Sequence, residues 1–313
     1  MNKTFKKNLL SAATIAALTT TGMSVQAADW TIIQNFNGAT SPVLDQGNTT
    51  LVTDSTQAIN SIALNLTTPD DLLNGSSQDV SLNGSASVVL TQGGSANVRA
   101  TQALNNIVAD NVGTGLVSAV LQTISTSPTL TTLSQTSVGG SDNVQAINNV
   151  DAQNSILGLS QTYVPGTTLN LNQVDTTSAR DQQAINRAEL TADGDVTGIL
   201  QTATGASGAT TFEQTGTAVG LVQAGNLIDI GTGNSITGAT NVDQQVFTGG
   251  VTTILNQTSN TARQALNAIV YLTSDAASNT EQELTLSGAT TTFTQNDTTS
   301  SAQAGNYVGT KGT

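Results

Sequence analysis

The segment Gln102-Ala103-Leu104-Asn105-Asn106-Ile107 decides the fold, because its first four residues form a motif, Gln-Ala-x-Asn, that recurs along the chain. The motif begins at seven glutamines: Gln57, Gln102, Gln145, Gln183, Gln223, Gln264 and Gln303. The intervals between them are 45, 43, 38, 40, 41 and 39 residues, and an aliphatic residue or alanine follows each glutamine by five positions. A period of this size indicates repeats of one structural unit.

The alternation of side chains along a β-strand predicts which face of this segment is buried. Ala103, Asn105 and Ile107 would share one face, which is small and nearly constant among the repeats. We therefore expect that face to point into the core. The opposite face varies more, and on it we expect Arg187 to be exposed.

Two further glutamine motifs lie inside each interval and predict two more strands. In the later motif a large apolar residue precedes the glutamine by two positions: Leu90/Gln92, Leu133/Gln135, Leu171/Gln173, Phe212/Gln214, Leu255/Gln257 and Phe293/Gln295. In the earlier motif the glutamine comes first: Gln78/Val80, Gln122/Ile124, Gln161/Tyr163, Gln201/Ala203, Gln245/Phe247 and Gln282/Leu284. Ile32 and Gln34 fit the later motif, so we expect the mature chain to open with the end of a repeat.

Three short strands per repeat, without a sustained 3.6-residue apolar period, predict an all-β fold. A repeat of this length suits a propeller blade or one rung of a β-solenoid. Blades use aromatic packing residues, and the chain is only 3% aromatic, so we favour a β-solenoid of stacked rungs with about three short strands each.

Identical amides in successive rungs can hydrogen-bond to one another, which lowers the free-energy cost of burying them. The predicted inward ladder residues are Asn60, Asn105, Asn148, Asn186, Asn226, Asn267, Asn306, Gln92, Gln135, Gln173, Gln214, Gln257 and Gln295.

The composition argues against catalysis. Charged residues make up 9% of the chain, and it contains no cysteine and no histidine. Ser-His-Asp triads, the usual zinc sites, haem ligation and disulfides are therefore excluded. A polysaccharide-cleaving β-helix would need paired carboxylates, but aspartate and glutamate do not recur in register. We expect neither an enzyme nor a bound cofactor or metal.

The first 27 residues have the features of a signal peptide. Three lysines precede an apolar run, and Val25-Gln26-Ala27 is a small-residue cleavage site.

The exported chain would keep five basic and 21 acidic residues, a net charge of −16, so we expect no binding to nucleic acid. It also lacks the roughly 18 consecutive apolar residues of a membrane span. We divide it into a partial repeat at 28–56, six repeats at 57–302 and a partial repeat at 303–313.

The signal segment and the acidic, cysteine-free Gln/Asn/Gly repeats resemble those of secreted bacterial functional amyloids, the curlin and Fap groups. Curlin-type repeats carry Gln-x-Gly-x-x-Asn followed by another glutamine, and Gln92-Gly93-Gly94-Ser95-Ala96-Asn97 with Gln102 matches that pattern. The resemblance implies self-assembly into extracellular biofilm fibres. It also implies export through an outer-membrane pore, with a periplasmic chaperone as a further partner.

Two functions remain open from the sequence. The first is a fibre subunit at the cell surface whose rungs stack head to tail. The second is a monomeric β-solenoid that acts as a surface adhesin or as an ice- or carbohydrate-binding module. An ice-binding face needs outward Thr-x-Thr in every rung, but among the positions flanking the later glutamine motif only Thr292 and Thr294 form such a pair.

Overall fold

The computed structural model describes residues 29–310 except 39–40, 48–51, 67–71, 83–86, 95–96, 112–115, 125–127, 137–139, 154, 177–178, 192–193, 205, 218, 232–237, 249, 251, 259–260, 272–277, 289 and 297–299. The predicted signal peptide, 1–27, lies outside the described residues. The regular structure of the described ranges consists of β-strands. Within those ranges, no helix has the length and apolar character needed to cross a membrane.

The chain passes through the same series of sheets seven times, and each passage is called a rung. Rung 1 contains β1 (Asp29–Trp30), β2 (Ile33–Gly38), β3 (Val43–Gly47), β4 (Val52–Thr53) and β5 (Thr56–Leu66). Rung 2 contains β6 (Leu72–Asn74), β7 (Ser77–Leu82), β8 (Ser87–Gly93), β9 (Asn97–Val98) and β10 (Thr101–Asn111). Rung 3 contains β11 (Leu116–Ser118), β12 (Leu121–Ile124), β13 (Leu130–Thr136), β14 (Gly140–Ser141) and β15 (Val144–Ala152).

The later rungs have fewer and longer strands. Rung 4 contains β16 (Ile156–Leu157), β17 (Ser160–Tyr163), β18 (Thr168–Thr176) and β19 (Gln182–Leu190). Rung 5 contains β20 (Asp195–Thr204), β21 (Ala209–Gly216) and β22 (Val222–Ile230). Rung 6 contains β23 (Gly238–Thr248), β24 (Thr252–Gln257) and β25 (Arg263–Tyr271). Rung 7 contains β26 (Ser278–Leu286), β27 (Thr290–Gln295) and β28 (Ala302–Thr310).

Equivalent strands of successive rungs pair in parallel. Sheet I has eleven strands: β1, β2, β6, β7, β11, β12, β16, β17, β20, β23 and β26. Sheet II has seven, β3, β8, β13, β18, β21, β24 and β27, and sheet III has seven, β5, β10, β15, β19, β22, β25 and β28. A small sheet IV of β4, β9 and β14 lies between sheets II and III in the first three rungs. The predicted all-β solenoid of stacked rungs is therefore confirmed.

Two corners of the rung share a left-handed backbone conformation. The residue three positions before the sheet III glutamine has φ between 49° and 72° in every rung: Asp54, Arg99, Asp142, Arg180, Gly220, Thr261 and Ser300. The matching residues before the sheet I glutamine, in rungs 2 to 7, are Gly75, Ala119, Gly158, Gly198, Asn241 and Asn279. This conformation is costly for most residues. Its recurrence at a fixed position sets where each following strand begins, and therefore the register of the stack.

The core has two main apolar clusters. One joins sheets I and III and contains Val117, Ile156 and Ile107. The other joins all three main sheets and contains the apolar partners of the sheet II glutamines, such as Leu133 and Leu171, both fully buried. We expected these leucines in the core, and the structure places them there.

In the second cluster, a larger side chain at one position of a rung is accompanied by smaller side chains at the positions that face it. In rung 5, Phe212 stands where rung 4 has Leu171, and the small residues Ala203 and Gly225 face it from sheets I and III. A Cβ added to Gly225 would lie 2.7 Å from the carbonyl oxygen of Leu266. The larger Phe212 side chain is therefore accompanied by smaller residues in the same rung, which limits the change in total core volume.

The predicted face assignment of the Gln-Ala-x-Asn strand is wrong in part. Pairing passes from Ala184 to Asn186 and skips the residue between them, so strict alternation ends there. Ile185 packs into the second core cluster, whereas Ala184 packs with Val222 and Leu227 in a separate cluster on the outer side of sheet III. The asparagine points inward as predicted, but the alanine does not share its face.

Two predicted register positions are also wrong. Gln244, rather than Gln245, pairs with Gln201 in sheet I. Gln34 pairs with Gln78, so β2 belongs to sheet I and the described chain opens at the start of a rung rather than at its end. The first error comes from two adjacent glutamines, and a shift of one residue moves a side chain to the other face. The second arises because Gln34 has an apolar residue two positions away on each side, Ile32 and Phe36, and so fits both motifs.

Candidate assembly site: the amide ladders and their open ends

The predicted asparagines form one continuous row in sheet III. Each Nδ2 donates to the Oδ1 of the asparagine in the following rung at 2.8–2.9 Å, in six bonds from Asn60 to Asn306. Each also donates to a backbone carbonyl of sheet I, as Asn105 Nδ2 does to Thr123 O at 3.0 Å. Only the nitrogen of an amide can donate, so this second bond fixes the orientation of each asparagine amide. All the nitrogens of the row therefore point toward the following rung.

The predicted glutamines form a row in sheet II. Their Nε2 atoms donate to the Oε1 of the preceding rung at 2.7–3.0 Å, in six bonds that join Gln46, Gln92, Gln135, Gln173, Gln214, Gln257 and Gln295. Gln46 was missed by the sequence analysis because its apolar partner, Leu44, lies before the first complete repeat. The central members are fully buried.

Two more glutamine rows were missed as ladders, although their motifs had been recognised. The sheet III row joins Gln57, Gln102, Gln145, Gln183, Gln223, Gln264 and Gln303 at 2.7–2.8 Å. The sheet I row joins Gln34, Gln78, Gln122, Gln161, Gln201, Gln244 and Gln282 at 2.8 Å. In both rows, as in sheet II, the nitrogen donates toward the N-terminal end.

The asparagine and glutamine rows therefore run in opposite senses, which gives the two ends of the solenoid different polar groups. On the N-terminal face each glutamine nitrogen makes one bond to another described residue, as Gln57 Nε2 does to Asp45 O at 3.3 Å. Its second proton is then available, and so is the Oδ1 of Asn60. On the C-terminal face, Asn306 Nδ2 donates to Gln282 O and has a second proton to give. There the Oε1 atoms of Gln282, Gln295 and Gln303 have no glutamine of a following rung to accept from.

Apolar side chains are also uncovered at the ends. Phe293 is 42% exposed, whereas Leu133 at the same position of rung 3 is fully buried. Val308 is 44% exposed and Val150, its equivalent, is fully buried. Trp30 on the N-terminal rung is 41% exposed. The C-terminal end is thus a cross-section of the core, whereas on the N-terminal rung Trp30 is exposed but Ile62 stays buried. At both ends the outermost strands have an open edge.

The prediction that Arg187 is exposed is wrong, because its side chain is fully buried on the outer side of sheet III. The guanidinium donates to Asn149 Oδ1 at 2.7 Å and to Gln182 Oε1, and it pairs with Glu189. Burial alone would lower the pKa of Arg187, but attraction to Glu189, Asp151 and Asp229 outweighs burial and raises it. The three carboxylates occupy one position in successive rungs, so this single cation offsets their repulsion.

The same outer side carries a polar groove of about 520 Å³ along rungs 1 to 4. Asp54 and Asp142 lie on one wall, where Arg99 and Arg180 form ion pairs with them. Hydrogen bonding from Arg99 holds the pKa of Asp54 below its ordinary value. Asp151 and Gln153 lie on the other wall. No group of three or more metal-ligating side chains is arranged to hold an ion in the parts of the chain that the structure describes.

Comparison with known proteins gives no relative for this arrangement. No protein-family model, no curated protein and no solved structure matches the chain. Interpretation of the site therefore depends on its geometry.

Proposed function

We propose that the mature chain is an exported structural protein that self-assembles by stacking of its rungs into extracellular, amyloid-like fibres of a biofilm or cell surface. The observation that carries this proposal is the uncovered core at the C-terminal end, where Phe293 and Val308 are about two-fifths exposed. Repeat proteins that remain monomeric need terminal repeats with a polar outer face. A second copy of the chain would cover each end with a matching cross-section.

Other features fit a secreted fibre subunit. The N-terminal signal segment would direct export, and the resemblance to the curlin and Fap groups supports an outer-membrane pore and a periplasmic chaperone as partners. The buried centre of the molecule consists of amide rows and apolar clusters, to which we assign a role in stacking. We propose no enzymatic activity, no nucleic-acid partner and no cofactor.

Electron microscopy of the purified chain 28–313 tests the proposal. We expect unbranched fibres from the unaltered chain and dispersed particles from Val308→Lys, which places a charge on the C-terminal face. Val219→Lys is the matched control, because Val219 is 46% exposed but lies on a corner within the stack rather than at an end. Dispersed particles from all three proteins would refute the fibre proposal.

The groove over sheet III favours the second candidate, a monomeric surface adhesin or carbohydrate-binding module. Its walls offer carboxylates and amides, which can bond to sugar hydroxyls. A chain that stays monomeric and binds neutral oligosaccharides in calorimetry, with binding lost in Asp151→Asn, would favour this candidate. An ice-binding face is disfavoured, because the outward position next to the sheet II glutamines holds Asp45, Thr91, Ser134, Asn172, Glu213, Asn256 and Thr294.

A further inference from the structure

The described chain begins with the first sheet of a rung and ends with the last sheet of a rung. β1 and β2 open in sheet I, and β28 closes in sheet III. Rungs 1 and 7 therefore each present one complete cross-section, and a second copy placed on either end would begin in the sheet that follows the last strand. Each main sheet can then pass from copy to copy with no strand missing or doubled.

The polar groups of the two ends are complementary only in one arrangement. On the N-terminal face the glutamine rows offer protons and the asparagine row offers an oxygen, and on the C-terminal face these roles are reversed. Two N-terminal faces in contact would bring glutamine donors against glutamine donors. Contact of unlike faces matches all four rows and keeps the strands parallel, as they are within the molecule.

The apolar positions match in the same register. With Gln295 next to Gln46 of the following copy, Phe293 lies next to Leu44 and Thr294 next to Asp45. With Gln303 next to Gln57, Val308 lies next to Ile62, which is the pairing that Ile107 already makes with Ile62 inside the molecule. This register brings no two like charges together among these pairs.

We infer that the partner of the C-terminal face is the N-terminal face of a second copy of this chain, joined in the single register that continues all four amide rows. This inference rests on the proposed function and adds its polarity and pairing. Gln57, Gln34 and Gln46 donate across the junction to Gln303, Gln282 and Gln295, and Asn306 donates to Asn60. The resulting fibre is polar, with one kind of face at each end.

Cysteine cross-linking tests this junction, because the natural chain contains no cysteine. Asp45→Cys and Thr294→Cys are made in separate proteins, mixed, assembled and oxidised. Paired residues of neighbouring parallel strands lie about 4.8 Å apart, within disulfide range. Val43→Cys mixed with Thr294→Cys is the matched control, because Val43 is also exposed but stands two residues away, at about 8 Å.

We expect the Asp45→Cys and Thr294→Cys mixture to give at least about tenfold more disulfide dimer than the control mixture or either protein alone. Fibres in which Asp45→Cys cross-links to itself, or in which Val43→Cys is the better partner, would overturn the inferred junction and leave the fibre proposal intact. If no fibres or oligomers form, the fibre proposal fails and the junction fails with it.

Discussion

Asn148 occupies the middle of the asparagine row and uses its whole amide. It accepts from Asn105 and donates to Asn186 and to the Thr162 carbonyl, with no exposure to solvent. Replacing it with aspartate removes both donors and puts a buried carboxylate against two oxygen acceptors. We therefore expect Asn148→Asp to lower the free energy of unfolding by at least about 3 kcal/mol at pH 7.

Denaturant unfolding of the variant in the Val308→Lys background measures this loss on a chain designed not to assemble. The loss should be smaller in acid, because a protonated carboxyl can again donate a hydrogen bond. Asn170→Asp is the control, since Asn170 is partly exposed on the outer side of sheet II. Equal losses from the two variants would show that the ladder bonds contribute little.

Arg187 is the second residue whose replacement should be costly. Arg187→Ser would leave Asp151, Glu189 and Asp229 stacked without their buried cation, and removing one partner of a buried ion pair typically costs about 3–5 kcal/mol. Arg180→Ser removes only an exposed ion pair, which is worth at most about 1 kcal/mol. Thermal unfolding at pH 7 checks both, and equal losses from the two variants would contradict the role given to Arg187.

At the scale of the strand, Gly225 shows how the sheets constrain each other. A Cβ there would lie 2.7 Å from the Leu266 carbonyl oxygen, so Gly225→Ala must separate β22 from β25 or distort both. We expect a loss of about 1–3 kcal/mol. In Gly305→Ala the close contact is with the flexible Leu284 side chain at an open end, so the loss should be below about 1 kcal/mol. The unfolding midpoints of the two variants test this difference in stability loss.

The strands and ladders were largely predictable because stacking places the same residue type above itself in every rung. The break in alternation between Ala184 and Asn186 was not, since both residues fit a regular strand. That break places Ala184 on the outer side of sheet III, the side of Arg187, whereas Asn186 points inward. Arg187 is on the expected face, but contacts with Asn149, Gln182 and Glu189 bury it there. The left-handed corners were also missed, because Asp54, Arg99 and Thr261 have nothing in common except their distance from the next glutamine.

Without its first 27 residues, the whole chain would carry a net charge of −16, from five basic and 21 acidic residues. Copies should therefore repel each other at neutral pH and low salt, and screening or partial protonation should speed association. We expect light scattering to rise faster with added sodium chloride and at lower pH. Strict dependence on calcium would instead indicate an adhesin with acidic metal sites.

In the proposed fibre, each copy starts with the sheet that follows the last sheet of the previous copy, so gain or loss of a whole repeat would change subunit length without altering either end. Each repeat adds about 4.8 Å, so seven give a subunit about 34 Å long. Gene duplication or deletion of about 40 codons would thus leave the N-terminal and C-terminal faces unchanged. Subunits of unequal length could then be incorporated into one filament. We therefore expect the number of repeats to vary in evolution more readily than the sequences of the two end rungs.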